Sequence, residues 1–159
     1  MAKRKSRSRS SNKALSYIKY GAILLAVIGV IMASFAYVSY NDYSFSGFQV
    51  IFGYTGKAGS YVVLSKEILK FSFVALLAVL LPLVGSFSVI SKNKIVKLIG
   101  AILMVAGCVL CFLVPNFMVF ADNAVKTIFS NGALGVGAIL SGVFFALGAV
   151  CNVYAVIEK

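Results

Sequence analysis

Residues 71–90 read FSFVALLAVLLPLVGSFSVI and hold no charged side chain. Coiled as one helix at ~1.5 Å per residue, they would reach about 30 Å, the thickness of a bilayer's hydrocarbon core. Stretches 21–39, 98–120 and 133–157 have the same character. Over its 159 residues the chain is 61% hydrophobic, with a mean hydropathy of +1.00. A soluble domain has no use for that much apolar surface. The sequence therefore predicts an all-α membrane protein, a four-transmembrane-helix bundle with spans at about 18–40, 71–91, 95–120 and 133–157, all in one domain over 17–159.

The formal net charge is +11, which in a soluble protein would point to nucleic acid. Here the positive residues follow the connections between spans. Lys3, Arg4, Lys5, Arg7, Arg9, Lys13 and Lys19 precede or open the first span, Lys92, Lys94 and Lys97 follow the second, and Lys159 ends the chain. Segments 40–70 and 121–132 carry Lys57, Lys66, Lys70 and Lys126, diluted by Asp42, Glu67 and Asp122. Lys and Arg accumulate on the cytoplasmic side of spans. Both termini and 91–97 are thus expected inside a plasma membrane, with 40–70 and 121–132 outside.

The tail over 1–16, MAKRKSRSRSSNKALS, is too polar to bury a core and is expected to be disordered. Its first use is as an anchor on anionic headgroups. The Arg-Ser alternation makes contact with RNA or a cytoplasmic partner the weaker alternative, and no nucleic-acid partner is expected. The first stretch also has features of a signal peptide, a basic start and the small-x-small site Ser34-Phe35-Ala36. Its length and its small-residue stripe favour a retained span.

That stripe is Ala22, Ala26, Gly29, Ala33 and Ala36, at spacings of four and three that keep one face of a helix. Small residues in a line let a neighbouring backbone approach closely, which is how spans associate when lipid is as apolar as leucine. The last span repeats the device with Gly135, Ala138, Gly142, Ala146 and Ala149, and carries a second stripe of Gly137, Ser141 and Gly148. Such a helix is expected to be wedged between two neighbours, with Val136, Leu140, Val143, Leu147 and Val150 toward lipid. The third span offers Gly100, Gly107 and Cys111, and the second Ala75, Ala78, Pro82 and Gly85. Pro82 is expected to kink the second span and free a carbonyl, with Ser86 or a neighbouring helix as its new partner.

Between the first two spans, Phe48, Val50, Phe52 and Tyr54 alternate with Gln49, Ile51 and Gly53, a strand period. Residues 55–59 read as a turn, and Tyr61-Val62-Val63-Leu64 as a second strand. An extracytoplasmic β-hairpin over about 43–65 is expected, resting on the helix ends or on 121–132 as a lid. Left uncovered, its aromatic face of Phe48, Val50, Phe52 and Tyr54 would mark a partner surface.

Catalytic chemistry finds little to work with. The chain has no histidine, which removes the commonest general base and metal ligand. No ionisable side chain is expected deep in a span, where proton relays and transport sites need one. Ser34, Ser86, Cys108, Cys111, Ser141 and Asn152 are the polar groups at depth, and such groups usually bond to a neighbouring helix. Cys108-x-x-Cys111 has the spacing of a redox or metal pair but lies in a span without acidic partners, which favours packing. Asp42, Glu67 and Asp122 each sit near an expected helix end, where carboxylates are ordinary. Gly53-x-x-Gly56-x-x-Gly59 leads into no helix and is not a phosphate loop. No cofactor, metal or enzymatic activity is expected.

The order of a basic tail, a span, SGFQVIFGY, a span with LLP, a Lys-rich turn, FLVPNF, and GALGVGAILSGVFFALGAV resembles small uncharacterised four-span membrane proteins of low-GC Gram-positive bacteria and their wall-less relatives. That resemblance implies an architecture and no activity. In overall shape the arrangement is also similar to claudins, but the Trp and outer Cys pair of that pattern are missing here. The expected function is that of a non-enzymatic envelope protein acting through protein–protein contacts, as scaffold, accessory subunit or self-associating unit. Membrane lipid and a second copy or another membrane protein are the expected partners. The alternative is a pore or small-solute transporter built by oligomers.

Overall fold

The computed structural model describes residues 2–40, 43–56, 66–129 and 131–157, with side chains from Ser16 onward except at 66, 124 and 128. Along the chain come α1 (Ala2–Met32), β1 (Ala36–Tyr40), β2 (Tyr43–Ser46), α2 (Gly47–Phe52), β3 (Tyr54–Gly56) and β4 (Lys66–Leu69). Then follow α3 (Phe73–Phe87), α4 (Lys94–Leu113), α5 (Asn123–Ile128), β5 (Ala133–Leu134) and α6 (Val136–Ile157). Short 3-10 turns extend α3 over Ser88–Ile90 and α4 over Val114–Phe117. Three helical segments are long and apolar enough to cross a membrane: Phe73–Ile90, Lys94–Phe117 and Val136–Ile157. The apolar part of α1, Ser16–Met32, is shorter.

The helix starts are chemically specified. Ser72 caps α3, its Oγ accepting from Ala75 N at 3.3 Å, and Asn93 caps α4 by accepting from Ile95 N at 3.0 Å. Each cap satisfies an amide that the first turn leaves without a partner. The helices touch in the order α1, α6, α4, α3, and α3 returns to α1. One end of this group carries the Lys-rich turn. The other is covered by a cap made from 36–40, 43–56, 66–72, 114–129 and 131–134.

The cap holds two small sheets. In the first, β1 is central, antiparallel to β2 on one side and β5 on the other, with Val38 opposite both Phe45 and Leu134. In the second, β3 and β4 pair, Thr55 opposite Glu67. Backbone bonds from Lys70 N to Val119 O (2.9 Å) and from Ala121 N to Ile68 O (3.1 Å) tie β4 to the segment after α4. The two connections at this end thus fold as one layer, its core Tyr37, Val38, Phe45, Ile68, Leu69 and Phe129.

Several expectations change. The first span does not run to 40: α1 stops at Met32, and Ala36–Tyr40 is a strand, because its aromatic and β-branched side chains suit a sheet that β2 and β5 complete. The basic segment, expected to be disordered, belongs to α1 from Ala2; Lys, Arg and Ala are good helix formers. The hairpin with a strand over 48–54 is replaced by helix α2 followed by β3. Its proposed partner strand, 61–64, and the turn residue Gly59 lie outside the described residues, as does Asp42. Glu67 is in β4 and not at a helix end.

Candidate functional site

The small residues sit where helices meet. Ala22, Ala26 and Gly29 are buried on α1, Ala33 is buried in the turn just after it, and Ala36 is half-buried in β1. A Cβ on Gly137 of α6 would stand 2.8 Å from Met32 O, and one on Gly29 would run into the Phe145 ring. Ser141 Oγ donates to Gly29 O at 2.7 Å. In the stripe of Gly137, Ser141 and Gly148, the first two therefore face α1, while Gly148 sits between Ala22 of α1 and Met104 of α4. Gly142, of the other stripe, faces Phe112 of α4, where an added Cβ would come within 2.8 Å of the ring. Gly135 precedes α6 and packs on Ala36. Ala138 is buried, while Ala146 is exposed and takes no part in the contact. Between α3 and α4 the approach is closest: a Cβ on Gly100 would lie 2.5 Å from Gly85 O, and one on Gly107 would meet the Pro82 ring.

The buried polar groups bond from helix to helix. Asn152, fully buried on α6, donates from Nδ2 to Gly85 O at 3.1 Å and to Met104 Sδ at 3.3 Å. Lys97, 3% exposed, donates from Nζ to Ala155 O at 3.1 Å. Sequence reasoning placed Lys97 just beyond the Lys-rich connection after the second span and missed this bond. Cys111 Sγ donates to Ala78 O at 3.7 Å, and the Tyr37 hydroxyl lies 3.5 Å from the same sulfur. Burial pushes the phenols of Tyr37 and Tyr40 up from the usual tyrosine range, so both stay neutral hydrogen-bonding groups. These bonds hold the fold. They bring no nucleophile beside a base, and among the described residues no three of His, Cys, Asp and Glu gather to hold a metal.

The surface that invites a functional reading is α2. The sequence Ser46-Gly47-Phe48-Gln49 forms a capping box: Ser46 Oγ accepts from Gln49 N at 3.3 Å, and Gln49 Oε1 accepts from Ser46 N at 2.9 Å. Gly53, at φ 92°, closes the other end, donating from its N–H to Gln49 O. Within this single turn and a half, Val50 and Ile51 are 2% exposed and face the core, while Phe48 is 40% and Phe52 66% exposed. The two rings stack, centroids 6.5 Å apart and planes 14° apart. Tyr54 lies partly under Phe45, edge to face at 5.8 Å. The four residues expected to share one strand face are therefore split, with Val50 inside and Phe48 and Phe52 outside. Ser72 N donates to Ile51 O at 3.0 Å, which sets the exposed Phe71 and Phe73 in the segment beside α2.

No family model, curated protein or solved structure matches the chain.

Proposed function

We propose that the protein is a non-enzymatic four-span protein of the plasma membrane that acts by binding another membrane protein, or a second copy of itself, through the aromatic face of α2. The observation that carries this reading is the Phe48–Phe52 stack held outward on a helix that is capped at both ends and anchored by Val50 and Ile51. Rigid aromatic side chains bury much area at low entropic cost, and they concentrate at the centres of protein interfaces.

The fourth span is α1. Its apolar part has 17 residues, Ser16–Met32, about 25 Å at ~1.5 Å per residue. Ala22, Gly29 and Met32 line the contact with α6, so α1 shares the bilayer with a helix that is long enough to cross it. The four helices then form a bundle. Both termini and the Lys-rich turn are cytoplasmic by the distribution of Lys and Arg, and the cap is outside. On whole cells, an impermeant thiol reagent should label a cysteine placed at position 44 and spare one at position 93; the reverse pattern overturns the orientation.

The contact itself is tested with Phe48→Ala and Phe52→Ala combined in the full chain. Gentle solubilisation or crosslinking of the native protein should recover a membrane partner or a second copy. The double variant should lose it while unfolding at the same temperature. Retention of the partner by the double variant would mean that these rings bed in lipid instead, and the reading would fall.

A further inference from the structure

The cap carries a half-open cavity of about 450 Å³ that is separate from α2. Its floor is aromatic: Tyr40, Phe120 and Phe129. Tyr40 meets Phe129 edge to face at 5.3 Å, and Phe120 stacks on Phe129 with planes 5° apart. Two other lining residues hold the Tyr40 ring in place: its hydroxyl donates to Met118 Sδ at 3.2 Å, and a Cβ on Gly132 would come within 2.5 Å of the ring. At the rim stand Lys126, Asn116 and Asn131, all exposed. They arrive from three separate places: α5, the 3-10 turn after α4, and the segment before β5.

The rim is chemically one-sided. Among the described residues, none of these three side chains has an intramolecular hydrogen bond or ion pair, while Thr127, beside Lys126, donates to Asn123 O at 2.9 Å. An ammonium and two amides can present several N–H donors to one bound group, and among the described residues no carboxylate lines the cavity to compete for them. A cavity of a few hundred Å³ with an apolar floor and a few convergent polar groups is the usual form of a small-molecule site.

We infer that this cavity is a binding site for an organic anion, a phosphate or carboxylate group held by Lys126, Asn116 and Asn131 and attached to an aromatic or aliphatic body lying on Tyr40, Phe120 and Phe129. Charge-assisted bonds to the anion fix its head. The ring floor selects against bare inorganic ions, since they leave it uncovered. The same chemistry is offered by a dissolved metabolite or by the phosphate of a lipid headgroup.

The test uses the full chain in nanodiscs of zwitterionic lipid, titrated calorimetrically with phenyl phosphate and, separately, with inorganic phosphate. Phenyl phosphate should bind saturably and more tightly than inorganic phosphate. Lys126→Gln should weaken it by about tenfold, the scale of one charge-assisted bond, while Lys126→Arg should retain most of the affinity and Lys70→Gln should leave it unchanged. Asn131→Leu, at another rim position, should also weaken it, and melting curves establish that each variant is folded. Repeating the titration in discs rich in an anionic phospholipid separates the sources. Competition by the lipid assigns the site to headgroups, and undiminished binding assigns it to a dissolved anion. Absence of saturable binding, equal affinity for the two phosphates, or wild-type affinity in folded Lys126→Gln would each overturn the proposal.

Discussion

Where α3 meets α4 the contact is made by absent side chains; where the cap closes on the same helices it is made by bulk. Gly85 and Gly100 leave their backbones so near that a Cβ on one would lie 2.6 Å or less from the carbonyl oxygen of the other. In the cap, Tyr40, Phe45, Phe120 and Phe129 fill the space edge to face and in stacks. The difference follows from the surroundings. A helix has no spare amides to offer, so in an apolar medium its closest contacts come from removing side chains. A layer of short strands and turns cannot pack backbone on backbone over any length, and large rings must fill its gaps.

The contrast predicts a ranking of substitutions. Gly100→Leu should have the largest effect, because its new side chain meets both the Ser88 side chain and the Gly85 carbonyl, which is backbone; overpacking costs about 1–3 kcal/mol where neighbours can yield, and more where they are backbone. Loss of folded protein in detergent is expected. Gly142→Leu meets the edge of a movable ring, Phe112, and should lower stability less. Val143→Leu, on the exposed face of α6, should change nothing. Equal melting temperatures for Gly100→Leu and Val143→Leu would break the account of the helix contacts.

The cap supplies a sharper version of the same test inside one short helix. Ile51→Ala should destabilise by roughly 2–5 kcal/mol as a buried truncation, whereas Phe52→Ala, the next residue, should leave thermal unfolding nearly unchanged. Guanidinium or thermal denaturation followed by circular dichroism reads both. A large loss from Phe52→Ala would mean that the exposed ring is structural after all.

The helix contacts were readable because they are periodic and local. Ala22, Ala26, Gly29 and Ala33 mark one face of the first span without knowledge of what lies opposite, and the two stripes of α6 already imply two neighbours. The cap was misread for the opposite reason. Phe48 to Tyr54 alternate like a strand, but Ser46 and Gln49 are spaced as a capping box, and Gly53 stands where a helix would end. Those signals outweigh a short apolar alternation, and they were present in the sequence. The strand Ala36–Tyr40 could not have been separated from the apolar run before it, since what makes it a strand is pairing with residues near 45 and, far along the chain, near 134. The Lys97–Ala155 bond and the cavity rim depend in the same way on segments that only the fold brings together.

At Cys111 the gap that Pro82 leaves in the α3 ladder and the cap are joined. Pro82 has no N–H for Ala78 O, and the thiol from α4, not Ser86, takes that carbonyl; Ser86 turns to Leu83 O instead. The same sulfur is reached from the cap by Tyr37. Movement of α3 about Pro82 would stretch the contact between the Ala78 carbonyl and the sulfur, and movement of β1 would stretch the contact of the phenol with it. One polarizable atom, through weak and long contacts, thus touches the proline gap of α3 and the cap at once.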